Sequence, residues 1–263
     1  MFNYLIKIEY EGTNFVGWKK KKNGKSIQDN VEKALRKVLG TKIRIIGAGR
    51  TDKGVHAYSQ VANFKLKKKI DNKKIFLDSV NFFLKKKLIS ILDIKKKEED
   101  FNASFSAKVS TYEYLIINRQ GTLSIYKDRA WHVKKRIDLN LMKKGAKLLE
   151  GTHDFSTFRA ASCSAKSPLR KIHPIKIKKV NEVIKIRISS KSFLQNQVRS
   201  MVGCLNYLST CKWSLNDFKK AFKSKKRNNC APPAPASGLY LLNIKYWFKR
   251  YFFHRIFLKN LRK

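Results

Sequence analysis

The chain has 263 residues, of which 43% are apolar and only 12 are glycine and 5 proline. This composition excludes a disordered or collagen-like polymer and allows one large or two medium-sized folded domains. Lysine and arginine number 60 against 18 acidic residues, giving a formal net charge of +42. This charge favours nucleic acid as a partner, although drift in amino-acid composition explains part of the excess of basic residues.

Membrane insertion and zinc binding are also disfavoured by the sequence. No segment approaches the ~20 apolar residues that a membrane span requires. The four cysteines, Cys163, Cys204, Cys211 and Cys230, form no CxxC pair and have no histidine at metal-ligand spacing. Because the first residues show no secretory signal, we expect a reduced, cytoplasmic protein without disulfides, a membrane segment or a metal.

The first half of the sequence predicts the order strand, helix, strand, strand, helix, strand. Apolar residues at even positions over residues 2–10 indicate a strand with one buried face. The SIQD start and the helical apolar spacing that follows predict a helix over about residues 26–39. A short strand is expected near residues 42–46 and a further strand near residues 55–64.

A second helix is predicted to begin at Asp71. Its apolar spacing turns four side chains inward, namely Ile75, Phe76, Val80 and Phe83.

The second half repeats this order of elements. The predicted elements are a strand in STYEYLIIN, a helix near 138–149, strands on both sides of a turn at 181–182, a helix near 194–208 and a last strand over 239–246. The three prolines of APPAPASG, residues 231–238, exclude helix and central strand, so this segment is a connector.

A glycine-bearing loop, GAGRTDKG at residues 47–54, contains the residues best suited to chemistry. Its three glycines let the backbone turn tightly and approach a ligand. Arg50 lies beside Asp52, and a nearby cation favours the ionised carboxylate that a nucleophile or general base needs. Taken alone, the tripeptide Arg50-Thr51-Asp52 would in most proteins be an ordinary loop with a surface ion pair.

The loop and its flanks resemble the signature AGRTDxGVHAxxQ of the tRNA pseudouridine synthase A (TruA) family. Four further segments match in the same order: YEGTNFVGW, FSAKVSTYEY, DFSTFRA with SPLRKI, and FLQNQVRSMVGCL before APPAPASGLYL. The resemblance covers roughly residues 4–246. One departure is WKKKK at residues 18–22, where family members commonly carry glutamine after the tryptophan.

This resemblance implies isomerisation of uridine to pseudouridine in the anticodon stem and loop of tRNA, at positions 38, 39 and 40, without metal or cofactor. Asp52 matches the family's catalytic aspartate, and attack on the sugar C1', attack on the uracil C6 and a glycal route all remain open. Arg50 is expected to fill the stack that the flipped uridine leaves, Tyr112 to pack on the target base, and Arg199 to reach the site from the second half.

Each of these residues can also be interpreted as having a structural role only. Tyr112 is a core tyrosine on an alternating strand in one interpretation, and Arg199 is a solvated arginine on a helix face. For His56 we expect hydrogen bonds that position the loop rather than acid or base catalysis, and for Tyr114 a place in the core.

The expected fold is α+β, with two related halves that each form a mostly antiparallel sheet with helices on one face, around a central basic cleft. This is a pseudouridine-synthase-like arrangement, divided into residues 1–103 with the catalytic loop, residues 104–247, and a basic aromatic extension over 248–263. The family implies a homodimer whose tRNA crosses both subunits. A noncatalytic basic RNA-binding protein is the competing function, and a metal-dependent nuclease would need more clustered carboxylates.

Overall fold

The structure is a computed structural model that describes residues 1–19 and 24–246. In these ranges the strands are β1 (Phe2–Tyr10), β2 (Ile46–Gly47), β3 (His56–Leu66), β4 (Ile89–Lys97), β5 (Ala107–Asn118), β6 (Trp131–Val133), β7 (Gly151–Asp154), β8 (Leu169–Ile172), β9 (Lys176–Val180), β10 (Val183–Ser190) and β11 (Leu239–Tyr246). The α-helices are α1 (Ile27–Leu39), α2 (Lys73–Leu84), α3 (Leu139–Leu148), α4 (Gln197–Ser209) and α5 (Leu215–Lys223). The predicted α+β class is therefore confirmed.

The strands of the described ranges all belong to one sheet, in the order β4-β1-β3-β11-β5-β10-β8-β7, with β2 on β3, β6 on β5 and β9 on β10. Within the first half, β1 lies between β3 and β4 and is antiparallel to both. Within the second half, β5 lies between β10 and β11 and is likewise antiparallel to both. The two halves thus share a strand order, and the parallel pairing of β11 with β3 joins them into one continuous sheet.

One row of paired residues crosses the junction between the halves. Tyr10 of β1 pairs with Ala57 of β3, Ala57 pairs with Leu241 of β11, and Leu241 pairs with Tyr112 of β5. Residues paired in this way carry their side chains on the same face of a sheet. Because the apolar cluster around Tyr10 includes residues of α1 and α2, this is a helix-bearing face.

Two apolar clusters fill the space between the helices and the sheet. The first packs α1 and α2 on the strands of the N-terminal half, and the second packs α3, α4 and α5 on β5 and β10. Tyr112 contacts both clusters. It therefore lies at the boundary between the two halves, on the side where the helices pack.

Helix α1 forms as the sequence predicts. The Ser26 side chain accepts a hydrogen bond from the Asp29 amide at 3.2 Å, which caps the helix. Gly40, with φ of 68°, ends it in the left-handed conformation that glycine adopts without strain. Ile27 and Val31 are buried, as their spacing predicts.

Two predicted boundaries are wrong. The strand expected near residues 42–46 pairs only over Ile46–Gly47, and the stretch before it is unpaired. The second helix begins at Lys73 instead of Asp71, because the Asn72 side chain supplies the cap by accepting a hydrogen bond from the backbone.

The prediction that four side chains of α2 face the core is only partly correct. Phe76 and Val80 are buried, but Ile75 is 62% exposed and Phe83 39% exposed. Both exposed residues directly precede a buried one, Phe76 or Leu84. A step of one residue rotates a side chain by about 100° around a helix, so neither can share the buried line.

In the second half, the predicted strand at STYEYLIIN, the helix α3, the strands around the turn at 181–182 and the last strand are all confirmed. Helix α4 begins at Gln197, three residues later than expected. The sequence interpretation missed α5 and the short strands β6, β7 and β8. The expected division after residue 103 falls between β4 and β5, and the predicted 248–263 extension lies outside the described residues.

Candidate active site

The loop that contains Asp52 connects β2 to β3, and its glycines serve different purposes. Gly54 has a φ of 76°, which favours glycine. A methyl group at Gly47 would lie 2.5 Å from the indole nitrogen of Trp18, so this position requires the smallest residue. At Gly49 no atom lies within 4 Å of such a methyl group, so no packing contact within the protein requires glycine at this position.

The segment between β1 and α1 supports the loop through its backbone. The Trp18 amide donates to the Thr51 carbonyl oxygen at 3.0 Å. A methyl group at Gly17 would lie 2.6 Å from that same oxygen, and one at Gly12 would lie 2.0 Å from the Val55 carbonyl oxygen. The two chain segments are therefore in direct backbone contact on both sides of Asp52.

Buried polar side chains hold the loop from the side of the sheet. The Tyr10 hydroxyl is hydrogen-bonded to the Thr51 hydroxyl at 2.7 Å, and the Gln60 side-chain amide donates to the Gly49 carbonyl oxygen at 3.1 Å. All three side chains involved are buried. Burial raises the pKa of Tyr10, so its hydroxyl keeps its proton.

Asp52 is half-buried and lies close enough to Tyr112 to affect its titration. Burial raises the pKa of Tyr112, and the nearby Tyr10 and the Asp52 carboxylate raise it further. The Tyr112 ring meets Phe193 edge-on, with ring centroids 5.4 Å apart. A carboxylate from the first half thus lies within electrostatic range of a neutral phenol from the second.

The two arginines of the predicted site have different surroundings. Arg50 is exposed on the loop, two residues before Asp52. Arg199, near the start of α4, is half-buried, and its Nε donates to the Ala234 carbonyl oxygen at 2.7 Å. The Ala234 amide donates back to the Arg199 carbonyl oxygen at 3.0 Å. Arg199 is therefore not a freely solvated helix-face residue, because the 231–238 connector binds it.

The connector also reaches the catalytic loop. A methyl group at Gly54 would lie 3.2 Å from the Ala236 side chain. The His56 Nε2 is 3.1 Å from the Ser237 carbonyl oxygen, and its Nδ1 accepts a hydrogen bond from the Gly12 amide at 3.0 Å. Because Nδ1 is an acceptor, Nε2 carries the proton and donates to Ser237.

His56 is therefore a structural link between the halves. Burial lowers its pKa, which favours the neutral ring. The ring also stacks on Tyr240 of β11, with centroids 4.7 Å apart. These contacts agree with the expectation that His56 positions the loop. Tyr114 is fully buried and donates to the Pro235 carbonyl oxygen at 2.7 Å, which confirms it as a core residue.

The sequence interpretation did not identify Tyr10, Thr51 and Gln60 as supports of the site. The alternating pattern of β1 places Tyr10 on the buried face, which is a usable signal, but sequence spacing does not reveal its hydrogen-bond partner. Over residues 1–19 and 24–246, no group of three or more histidine, cysteine or acidic side chains could hold a metal ion. The helices described in those ranges include none that is long and apolar enough to cross a membrane.

A half-buried carboxylate within electrostatic range of a neutral phenol, on a loop that also carries an exposed arginine, suits covalent or proton-transfer chemistry on an anionic ligand. Comparison with known proteins identifies the type of enzyme. A sequence profile described as tRNA pseudouridine synthase matches residues 6–106 and 146–247. The chain belongs to the tRNA pseudouridine synthase family.

Individual relatives support this membership over nearly the whole length. A tRNA pseudouridine synthase A of Pelagibacter ubique is 52% identical over 246 residues, which cover 94% of this chain and 100% of the relative. The proteins of the same name from Beijerinckia indica and Maricaulis maris are 43% and 40% identical, each over 94% of this chain and over 94% and 98% of the relative.

Proposed function

We propose that the protein isomerises uridine to pseudouridine in tRNA and that Asp52 is its catalytic carboxylate. In this reaction the glycosidic bond from C1' to N1 of uracil breaks, and a bond from C1' to C5 forms. N1 gains a proton and C5 loses one, so the product is an isomer of the substrate. The observation that carries the proposal is the position of Asp52, half-buried within electrostatic range of Tyr112 in a loop fixed by Tyr10 and Gln60.

Asp52 would act as a nucleophile or as a base. Attack on C1', attack on C6 of the uracil and a route through a glycal all use an ionised carboxylate. In each case, the carboxylate must stay within bonding distance of one nucleoside while the uracil ring turns. The hydrogen bonds of Thr51 and the backbone contacts of Gly17 favour such a fixed position.

The uridine must leave its stack before this chemistry can occur. Extrusion costs a few kcal/mol, and stacking on an aromatic ring returns ~1–3 kcal/mol. We assign that stacking to Tyr112. Its neutral hydroxyl also lets the ring approach Asp52 without charge repulsion.

Two arginines complete the proposed site. Arg50, exposed on the loop, would enter the vacated stack and contact phosphate. Arg199 would stabilise negative charge near Asp52 from the second half, since the connector that binds it also contacts the loop. A guanidinium suits both tasks because it stacks on bases and donates several hydrogen bonds to anions.

For the substrate, we propose uridines at positions 38, 39 and 40 in the anticodon stem and loop. The quaternary state proposed is a homodimer in the cytoplasm, with one tRNA contacting both subunits and no cofactor. The net charge of +42 agrees with a polyanionic partner of this size.

The decisive experiment incubates the protein with unmodified tRNA and maps pseudouridine by mass spectrometry and by chemical mapping. We expect new pseudouridine confined to the anticodon arm. Binding of tRNA without any pseudouridine would instead support a noncatalytic RNA-binding protein. tRNA pre-modified at positions 38–40 serves as the control, because it offers the same charge without the reactive uridines.

A titration with salt tests the electrostatic part of the proposal. If 6–10 phosphates are contacted, tRNA affinity should fall by about 10³- to 10⁵-fold between about 50 and 200 mM salt. A flat response would exclude a broad phosphate-binding surface.

A further inference from the structure

Cys204 and Cys230 lie on opposite sides of the contact between α4 and the segment that leads into the 231–238 connector. Their Sγ atoms are 3.4 Å apart. Cys204 is 1% exposed, whereas Cys230 is partly exposed. Because the sulfur atoms of a disulfide are ~2 Å apart, a displacement of little more than an ångström would join them. The proposed chemistry on uridine uses neither thiol.

The two thiols have different chemical character. Their mutual hydrogen bond lowers the pKa of Cys230 and raises that of Cys204, and Arg227 lowers the pKa of Cys230 further. Arg227 is held near the pair because its guanidinium donates to the Ser200 hydroxyl at 3.3 Å. Since the thiolate is the reactive form of cysteine, the more accessible sulfur is also the more nucleophilic one.

We propose that Cys204 and Cys230 form an oxidation site, at which a hydroperoxide produces a reversible intramolecular disulfide. The Cys230 thiolate attacks the peroxide oxygen, the O–O bond breaks, and Cys230 becomes a sulfenic acid while an alcohol or water leaves. The Cys204 thiol then attacks this sulfur. The S–S bond forms, the S–O bond breaks, and the departing hydroxide leaves as water with the thiol proton. In total, two thiols lose two electrons and two protons, and the peroxide is reduced by two electrons.

The disulfide would act on the part of the connector that holds Arg199. A methyl group at Gly203 would lie 2.1 Å from the Pro232 carbonyl oxygen, so α4 and the connector are already in direct backbone contact. Two residues further on, Ala234 exchanges two hydrogen bonds with Arg199. Pulling Cys230 towards α4 therefore displaces the segment that orients Arg199.

This coupling to activity rests on the proposed function, whereas the oxidation itself does not. A misplacement of about 1 Å in a catalytic constellation lowers rates by up to ~10²-fold. We expect the oxidised protein to form pseudouridine about 10- to 100-fold more slowly. A thiol reductant should restore the rate, because the disulfide is the only covalent change.

The experiment on the oxidation site treats the full-length reduced protein with hydrogen peroxide, alkylates the remaining thiols after unfolding, and identifies tryptic peptides by mass spectrometry. Cys204 and Cys211 fall in one tryptic peptide, residues 200–212. The measurement is therefore made in Cys211→Ser, whose exposed thiol lies outside the pair. We expect a cross-linked product of the Cys204 and Cys230 peptides that has lost two hydrogen atoms and that dithiothreitol separates.

Two results would overturn the site: Cys204 and Cys230 both alkylated after peroxide treatment, or Cys230 oxidised to the sulfinic acid while Cys204 stays alkylated. The double variant Cys211→Ser with Cys230→Ser is the matched control, and its activity should be insensitive to peroxide.

If the disulfide forms but the rate is unchanged, the coupling to Arg199 is wrong. If the reduced protein makes no pseudouridine at all, the proposed function fails, while the peptide measurement still decides the oxidation site.

Discussion

The two halves of the sheet share a strand order. They differ in the connection that leads from the first helix of each half to the strand β3 or β10. In the first half, residues 40–55 link α1 to β3 through the compact glycine loop with Asp52. In the second half, the equivalent link from α3 to β10 contains three short strands and a turn of 3-10 helix. Each link carries a half-buried aspartate, Asp52 in one and Asp154 in the other.

The surroundings of the two carboxylates differ. Asp154 accepts a hydrogen bond from the Ser156 amide at 2.8 Å and lies 4.0 Å from the Lys225 ammonium. Burial alone would raise the pKa of Asp154, but these neighbours outweigh it and lower the pKa. Its charge thus stabilises local structure, whereas the Asp52 carboxylate raises the pKa of Tyr112 across the boundary between the halves. A repeated arrangement of strands therefore does not fix function, which depends on what each connection places beside its acid.

The largest expected effect comes from Asp52→Asn. This change keeps the size of the side chain but removes the charge that attack or proton transfer needs. Pseudouridine formation should fall by a factor on the order of 10³ or more, while tRNA affinity stays within a few-fold. Single-turnover assays with labelled tRNA, together with a filter-binding titration, measure the two quantities separately.

The control is the corresponding substitution in the other half. Asp154→Asn should lower stability by about 1 kcal/mol through loss of a charged hydrogen bond and leave the rate of isomerisation nearly unchanged. Equal loss of activity in both variants would mean that the two connections are not functionally distinct.

The next largest effect should come from Tyr112→Ala. Loss of base stacking by ~1–3 kcal/mol corresponds to about 5- to 150-fold in kcat/KM. Tyr112→Phe keeps the ring, so its activity should stay within a few-fold of the original. If the phenylalanine variant were as slow as the alanine variant, the hydroxyl and not the ring would carry the function. Thermal unfolding of both variants separates this effect from loss of core packing.

A smaller effect is expected when the support of the Asp52 loop is disturbed. Gly12→Ala places a methyl group 2.0 Å from the Val55 carbonyl oxygen, so the backbone must shift, at a cost of ~1–3 kcal/mol in stability. Gly49→Ala, within the loop itself, meets nothing within 4 Å and should be tolerated. Urea unfolding and activity assays on both variants test whether contact with the 12–18 segment, and not the glycine content of the loop, holds Asp52. Comparable losses in both would contradict this.

The sequence predicted the elements with strong periodicity but not the contacts that assemble the site. Apolar alternation in β1 and the Ser26 cap of α1 are local signals, and both elements form as predicted. The single buried face predicted for β1 is wrong, because Asn3 and Leu5 on its other face are buried as well. Helix α5 was missed although Ser214 and Asp217 form a capping box. The pairing of β11 with β3 joins segments about 180 residues apart, which no local pattern specifies. For the same reason, the hydrogen bond from Tyr10 to Thr51 was not predictable.

The smallest expected effect concerns His56, which joins the two halves through Gly12 and Ser237. Burial lowers its pKa below the ordinary value of 6.5. At a pH between the folded-state pKa and about 6.5, this histidine binds a proton in the unfolded chain but not in the folded one. The free energy of unfolding should therefore fall as the pH drops from about 6.5 towards the folded-state pKa, by at most ~1.4 kcal/mol per pH unit.

His56→Gln removes this proton uptake, so its stability should depend less steeply on pH over the same range, even if the variant is less stable throughout. Urea unfolding of both proteins at a series of pH values gives the two slopes. Identical slopes would show that another group governs the acid sensitivity. A shallower slope in the variant would place the acid-sensitive contact at the junction, where a neutral imidazole accepts from the first half and donates to the second.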